Sequence, residues 1–244
     1  MDPTRAPEAS LSPTRTASSR QVSSNQAGPH PRLAQVVDRH LNTRFQRPVA
    51  PYNHAAFEQL CRHWDGRSPL VLDSACGTGE SSAALAARHP EALVIGVDQS
   101  AQRLARGQRK LDATAAPRNL LLLRADATDL WALMAAHGLR LARHYLLYPN
   151  PWPKAEHLQR RWHGHPRLPD LLALGGALEL RSNWALYAEE FAWALRRAGW
   201  QAEVEPVPPE GPALTPFELK YRASGHVLWR VRAAPQAGNT PVER

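Results

Sequence analysis

Between Leu70 and Ala198, short apolar runs alternate with helix-length amphipathic stretches. The runs span Leu70 to Asp73, Ala92 to Asp98, Leu120 to Ala125, Tyr145 to Tyr148 and Ala177 to Arg181. The stretches from Gly79 to His89, Ser100 to Leu111, Leu130 to His137, Leu168 to Leu174 and Tyr187 to Ala198 read as helices. One more helix is expected from Asn53 to Trp64, with Asn53 as its cap. Strands alternating with helices imply βαβ units and a mainly parallel sheet. Two late strands, Gln201 to Val207 and Gly225 to Arg232, have no long helix between them. They predict an antiparallel hairpin that completes a seven-stranded α/β sheet.

Residues 1–32 are rich in Ser, Pro, Thr, Ala and Arg and poor in large apolar groups. Such a stretch buries too little surface to offset its ordering entropy, so a disordered tail is expected. The domain is expected over residues 33–235, with a flexible C-terminus at 236–244. The formal charge is +8, and among 30 Lys and Arg only Lys110, Lys154 and Lys220 are Lys. An Arg-rich composition follows from a GC-rich genome, or from a polyanionic partner such as RNA. The two cysteines, Cys61 and Cys76, have neither disulfide-framework nor zinc spacing. His163 and His165 flank Gly164 with no acid near in sequence, so they read as loop histidines and no metal is expected. No run is long enough to span a membrane, and no apolar secretory segment opens the chain. The expectation is a cytoplasmic protein, taken as a monomer.

The segment Asp73-Ser74-Ala75-Cys76-Gly77-Thr78-Gly79 follows the first strand and opens a helix. Its glycines let the backbone turn and approach a ligand closely. Asp98 ends the next strand, where an acid can bind ribose hydroxyls. A dinucleotide site would want a full G-x-G-x-x-G, but the last position here is Ser82. A carboxylate at Asp73 would repel a pyrophosphate and favour the ammonium and sulfonium of S-adenosylmethionine. Asp126, after the third strand, is placed to accept from an adenine amino group, or simply to cap the following helix. Asp73, Gly77, Gly79, Asp98 and Asp126 are therefore the cofactor-binding candidates.

The fourth strand runs into Tyr148-Pro149-Asn150-Pro151-Trp152-Pro153-Lys154. Each Pro fixes φ and pushes the residue before it towards an extended shape. The loop is stiff, and it holds Asn150, Trp152 and Lys154 beyond a strand end, where α/β sheets bind ligands. An amide, an indole and an ammonium suit a planar polar ligand such as a nucleobase. Lys154, His157, Arg160, Arg161 and Arg167 read as a basic rim that contacts phosphate, or as a solvated charged face. Trp152 and Trp184 suit either base stacking or buried packing.

These segments resemble the bacterial tRNA (guanine-N7)-methyltransferases, a class I family with a Rossmann-like fold. Leu72 to Gly79 with Gly96-Val97-Asp98 matches the family's cofactor loop. The Tyr148 to Lys154 loop with His157 and Arg160-Arg161 is similar to its F-P-D-P-W-x-K-x-x-H-x-x-R-R. Ser182-Asn183-Trp184 with Tyr187-Ala188-Glu189 is similar to T-D-W-x-x-Y-A-E. Thr215-Pro216-Phe217-Glu218 with Gly225-His226 is similar to T-K-F-E and a later G-H. Four positions depart: Asn150 and Asn183 replace acids, Pro216 replaces Lys, and Ala75 replaces the first loop Gly.

The resemblance implies methyl transfer from S-adenosylmethionine to RNA, most simply guanine N7 in tRNA. Asn150 would be the catalytic position, orienting the base. Lys154, Asn183, Thr215, Glu218, Arg160 and Arg161 would line the substrate side. Asn keeps an acceptor but loses the charge, and charge-assisted bonds are about twice as strong as neutral ones. Two other readings stay open. Asn150-Pro151-Trp152 is similar to the (D/N)-P-P-(Y/F) loop of methyltransferases acting on exocyclic amines. The replaced acids also suit a catalytically weak, RNA-binding module.

Overall fold

The computed structural model describes residues 19–113 and 116–236. Seven strands form one sheet: β1 (Leu70–Ser74), β2 (Leu93–Asp98), β3 (Leu120–Arg124), β4 (Arg143–Leu147), β5 (Ala177–Ser182), β6 (Trp200–Pro206) and β7 (Trp229–Pro235). Their spatial order is β3-β2-β1-β4-β5-β7-β6. The first five are parallel. β7 pairs antiparallel with both β5 and β6. The expected architecture is present, including the antiparallel closing pair.

β1 is buried along its whole length, as a central strand covered on both faces must be. Leu70 and Leu72 enter the larger core with Leu130, Trp131, Leu171, Phe191 and Leu195. Val71 enters a smaller cluster on the other face with Leu85, Val94 and Tyr145. The larger face is covered by α2 (Pro51–His63), α5 (Ala127–Ala136), α6 (Leu168–Leu174) and α7 (Ala185–Arg197). α3 (Glu80–Arg88) and α4 (Ala101–Ala113) pack on β2 and β3. α5 is apolar nearly all round because α2 and α6 cover it on the side away from the sheet.

Several expected boundaries move. α1 (Leu33–Asn42) is a helix whose buried Leu33, Val36, Val37 and His40 fall at i, i+3, i+4 and i+7, facing α6 and α7. α2 starts at Pro51, so Asn53 lies inside it and is no cap. The buried Asn53 amide instead donates to Asp129 at 2.8 Å and accepts from the Asp126 amide at 2.9 Å. An eight-residue helix, α8 (Pro216–Ala223), separates the last two strands. β7 begins at Trp229 rather than Gly225, because Gly225 and His226 form the turn after α8.

Residues 19–32, expected as disordered tail, lie along the body in extended and turn conformation with defined hydrogen bonds. Residues 1–18 and 237–244 lie outside the described residues.

Candidate active site

The strand order reverses direction between β1 and β4, so the carboxyl ends of β1 to β5 gather at a topological switch point. Every sequence-derived site residue lies on these strand ends, on the segments that follow them, or on α8 and its N-cap.

At the cofactor end the loop after β1 places Ala75, Gly77 and Gly79 in the left-handed region, at φ 62°, 63° and 74°. Gly79 opens α3 there, and a Cβ on it would meet Leu122. Asp73 is 1% exposed. One of its oxygens, Oδ2, accepts from Ser81 at 2.6 Å and Ser82 at 2.7 Å. The other, Oδ1, is buried without a partner. Burial pushes the carboxyl up to about 6, against the pull of the two serine hydroxyls. A bare anionic oxygen beside an open glycine loop fits the ammonium of S-adenosylmethionine.

Asp98 ties the loop together. Its Oδ2 accepts from the Gly77 amide at 2.9 Å, and its Oδ1 accepts from the Ser100 amide at 2.8 Å with Arg103 3.2 Å away. Asp126 caps α5 through the Thr128 amide, while its Oδ2 accepts from Gln99 at 2.8 Å. The cap reading of Asp126 is seen directly, and its second oxygen is engaged by Gln99.

At the acceptor end Tyr148 and Trp152 also lie in the left-handed region, at φ 53° and 45°. Non-glycine residues held there store strain, which clusters at functional loops. Asn150 is exposed, and its Oδ1 accepts from the Trp152 amide at 3.3 Å. Asn183 follows β5 and donates through Nδ2 to His226 Nδ1 at 3.4 Å. Arg160 lies over the Trp152 ring at 4.7 Å, and Lys154 is 69% exposed. The segment Ala155–Arg160 is a 3-10 turn, not an α-helix.

Several expectations change. Arg161 is no rim residue, because its side chain is fully buried. It donates to Glu190 at 2.6 Å, Gln26 at 2.5 Å, and the carbonyls of Trp152 and Lys154 at 3.1 and 3.3 Å. It also lies over Trp184 at 4.9 Å. Arg167 is buried too, bonded to Asp170 and the Arg47 carbonyl. Glu218 is fully buried, with both oxygens held by Arg181 and one by Arg222. Thr215 caps α8 by accepting from the Glu218 amide at 3.0 Å. Thr215 and Glu218 therefore hold α8, and both Glu218 oxygens are already engaged.

His163 is no loop histidine: it is buried and bonded to Glu190 at 3.0 Å. Burial resists ionisation of Glu190, but bonds from His163 and the His30 amide, with the Arg161 charge, hold it down at about 2. Gln26, His30 and Glu190 were missed in the sequence. Glu190 had a signal, as a charge among the apolar positions of α7.

A family profile described as "Putative methyltransferase" matches residues 67–231. A tRNA (guanine-N(7)-)-methyltransferase of Treponema pallidum (strain Nichols) is 34% identical over 175 residues, covering 68% of each chain.

The chain belongs to the tRNA (guanine-N7)-methyltransferase family.

The family enzyme of Halorhodospira halophila (strain DSM 244 / SL1) is 35% identical, over 68% of this chain and 76% of its own. In fold, the family member resembles the 16S rRNA methyltransferase KamB, with a TM-score of 0.55 at 21% identity over 79% of this chain and 98% of that one. Among the described residues no cluster of His, Cys, Asp and Glu could hold a metal, and no helix is long and apolar enough to cross a membrane.

Proposed function

We propose that the protein is an S-adenosylmethionine-dependent methyltransferase acting on RNA, with guanine N7 of tRNA as the acceptor. The observation that carries this reading is the bare, buried Asp73 Oδ1 at the switch point, one strand away from the stiff loop of Asn150. S-adenosylmethionine supplies the methyl group on a cationic sulfur.

Asp73 supplies the counter-charge, and Asp98 keeps the glycine loop shaped for close approach. Asn150 and Asn183 orient the base, while Lys154 and Arg160 meet phosphate outside the pocket. Guanine N7 carries a lone pair and no proton, so no residue need act as a base. The N7–carbon bond forms as the sulfur–carbon bond breaks, and the positive charge passes to the purine. The residues' task is alignment, which alone can account for most of such a rate. Neutral amides stabilise that purine charge less than carboxylates would. The expected enzyme is accordingly slower and less selective than an acid-bearing relative.

Incubation with unmodified tRNA and labelled S-adenosylmethionine tests this directly. Label released at borohydride–aniline cleavage sites is the expected result. Label recovered only in amino-methylated nucleosides, or none at all, would overturn it.

A further inference from the structure

From Gln21 to His30 the chain alternates outward and inward residues, with Val22, Ser24, Gln26, Gly28 and His30 turned to the body. This segment joins both shoulders of the acceptor site. At one end the Ser19 amide donates to Ser224 Oγ at 2.8 Å, and its carbonyl accepts from His226 Nε2 at 2.9 Å. The other nitrogen of His226 accepts from Asn183. The neutral tautomer that satisfies both bonds carries its proton on Nε2.

In the middle Ser24 Oγ donates to the Pro153 carbonyl at 2.6 Å, inside the Asn150 loop. At the far end Gln26 bridges the buried ion pair: Oε1 accepts from Arg161, and Nε2 donates to Glu190 at 3.2 Å. The His30 amide donates to the same Glu190 oxygen at 2.7 Å.

We propose that residues 19–30 are a positioning strap of the acceptor site, in which Gln26, acting through Arg161, sets the loop that carries Asn150. This rests on the methyltransferase reading above. The loop from Tyr148 to Lys154 has Pro at three of its seven positions, so it moves as a stiff body on its anchors. Those anchors are the two Arg161 bonds to its carbonyls, the Ser24 bond and, at its start, the Tyr148 amide's bond to the Arg181 carbonyl. Arg161 is aimed by Glu190 on one side and Gln26 on the other.

Loss of the Gln26 amide leaves Arg161 Nη2 with only the Lys154 carbonyl and Glu190 Oε1 with only the His30 amide, each one bond fewer in a buried place. Such groups re-aim to regain partners, and Arg161 would slacken its hold on the loop. Among the described residues no hydrogen bond of the strap reaches Asp73, Gly77, Gly79, Asp98 or Asp126. The strap therefore acts on the acceptor and not on the cofactor. Its bonds reach the loop of Asn150 at the Pro153 carbonyl and, at the other end, the His226 that partners Asn183.

The test is Gln26→Ala in the full chain, beside Asn25→Ala as an outward-facing control on the same segment. Turnover on unmodified tRNA should fall at least about tenfold in Gln26→Ala, as loss of alignment commonly costs that much or more. The Kd for S-adenosylmethionine by calorimetry should stay within about twofold, and Asn25→Ala should match the parent. Hydrogen exchange should quicken at residues 150–161 and not at 73–98.

Equal turnover in Gln26→Ala and the parent, equal losses in both variants, or unchanged exchange at 150–161 would overturn the strap. If the parent transfers no methyl group to RNA, the functional reading fails instead, and the exchange result alone decides the strap.

Discussion

Asp73 holds one oxygen against two serine hydroxyls and leaves the other bare and buried at the end of β1. Its pKa of about 6 is above the usual 3.8, so folding favours the protonated acid relative to the unfolded chain, although the ionised form predominates at pH 7. That contribution to stability is complete below 3.8 and lost as pH rises through about 6. A cationic cofactor favours the ionised form. Binding of S-adenosylmethionine at pH 5.5 should therefore release a larger part of a proton than at pH 8, where the carboxyl is already ionised. Calorimetry in buffers of differing ionisation enthalpy checks this, and equal proton release at both pH values would contradict it. Asn150 makes a second residue-scale prediction. Asn150→Asp restores an anion beside the purine and should raise guanine-N7 transfer several-fold; a fall would mean the pocket suits another acceptor. Ala75 makes a third. It sits at φ 62°, where a Cβ is strained. Ala75→Gly should stabilise the fold by about 0.5–1 kcal/mol, the relief of strain less the added unfolded-state entropy. The shift in denaturation midpoint measures it.

At the scale of elements, α7 and α8 show how a motif can change meaning on folding. Thr215-Pro216-Phe217-Glu218 carries an N-terminal cap, a Pro in the first turn and an acid at the third position. That is the local signature of a helix start, and the resemblance to a substrate motif obscured it. Glu218 then completes a buried charge cluster with Arg181 of β5 and Arg222 of its own helix. α7 uses Glu190 in the same manner to receive Arg161 and His163 from the segment before α6. Glu190→Gln would leave the Arg161 charge unpaired in the interior, at a cost of about 3–5 kcal/mol. It should also remove part of the acid sensitivity. The depressed pKa of Glu190 gives stability that is complete above 4.5 and lost as pH falls towards about 2. Urea melts between pH 2 and 5 would show the variant's stability varying less with pH than the parent's.

For the whole molecule, charge placement decides how much of the +8 can meet RNA. Arg161, Arg167 and Arg181 are buried in ion pairs and add nothing to an outer rim. Lys154 and Arg160 remain exposed at the mouth of the acceptor loop. Affinity for tRNA should fall steeply with salt, and the double change Lys154→Ala, Arg160→Ala should reduce the slope of log K against log salt by about 1.5. An unchanged slope in filter binding would take this face out of the RNA path. The same scale explains why the acids and amides converge. The sheet order puts β1 and β4 side by side, although they are about 70 residues apart along the chain, as the pairing of Leu72 with His144 shows.

The strand-and-helix alternation, the glycine loop, the acids at three strand ends and the proline-stiffened loop were legible in the chain because each depends on neighbours within a few residues. Side-chain period, turn chemistry and proline geometry are local. The fate of Arg161, the burial of Glu218, the inward turn of Asn53 and the docking of residues 19–30 were not legible. Each depends on a partner far away in sequence: Gln26 meets Glu190 across 164 positions, and Ser19 meets His226 across 207. A polar segment gives no apolar period to read, and its order comes from hydrogen bonds that exist only once the body has folded. The chain alone thus determined the fold and the glycine loop with its acids, while tertiary structure decided which charges stay exposed and which hold the Asn150 loop from within.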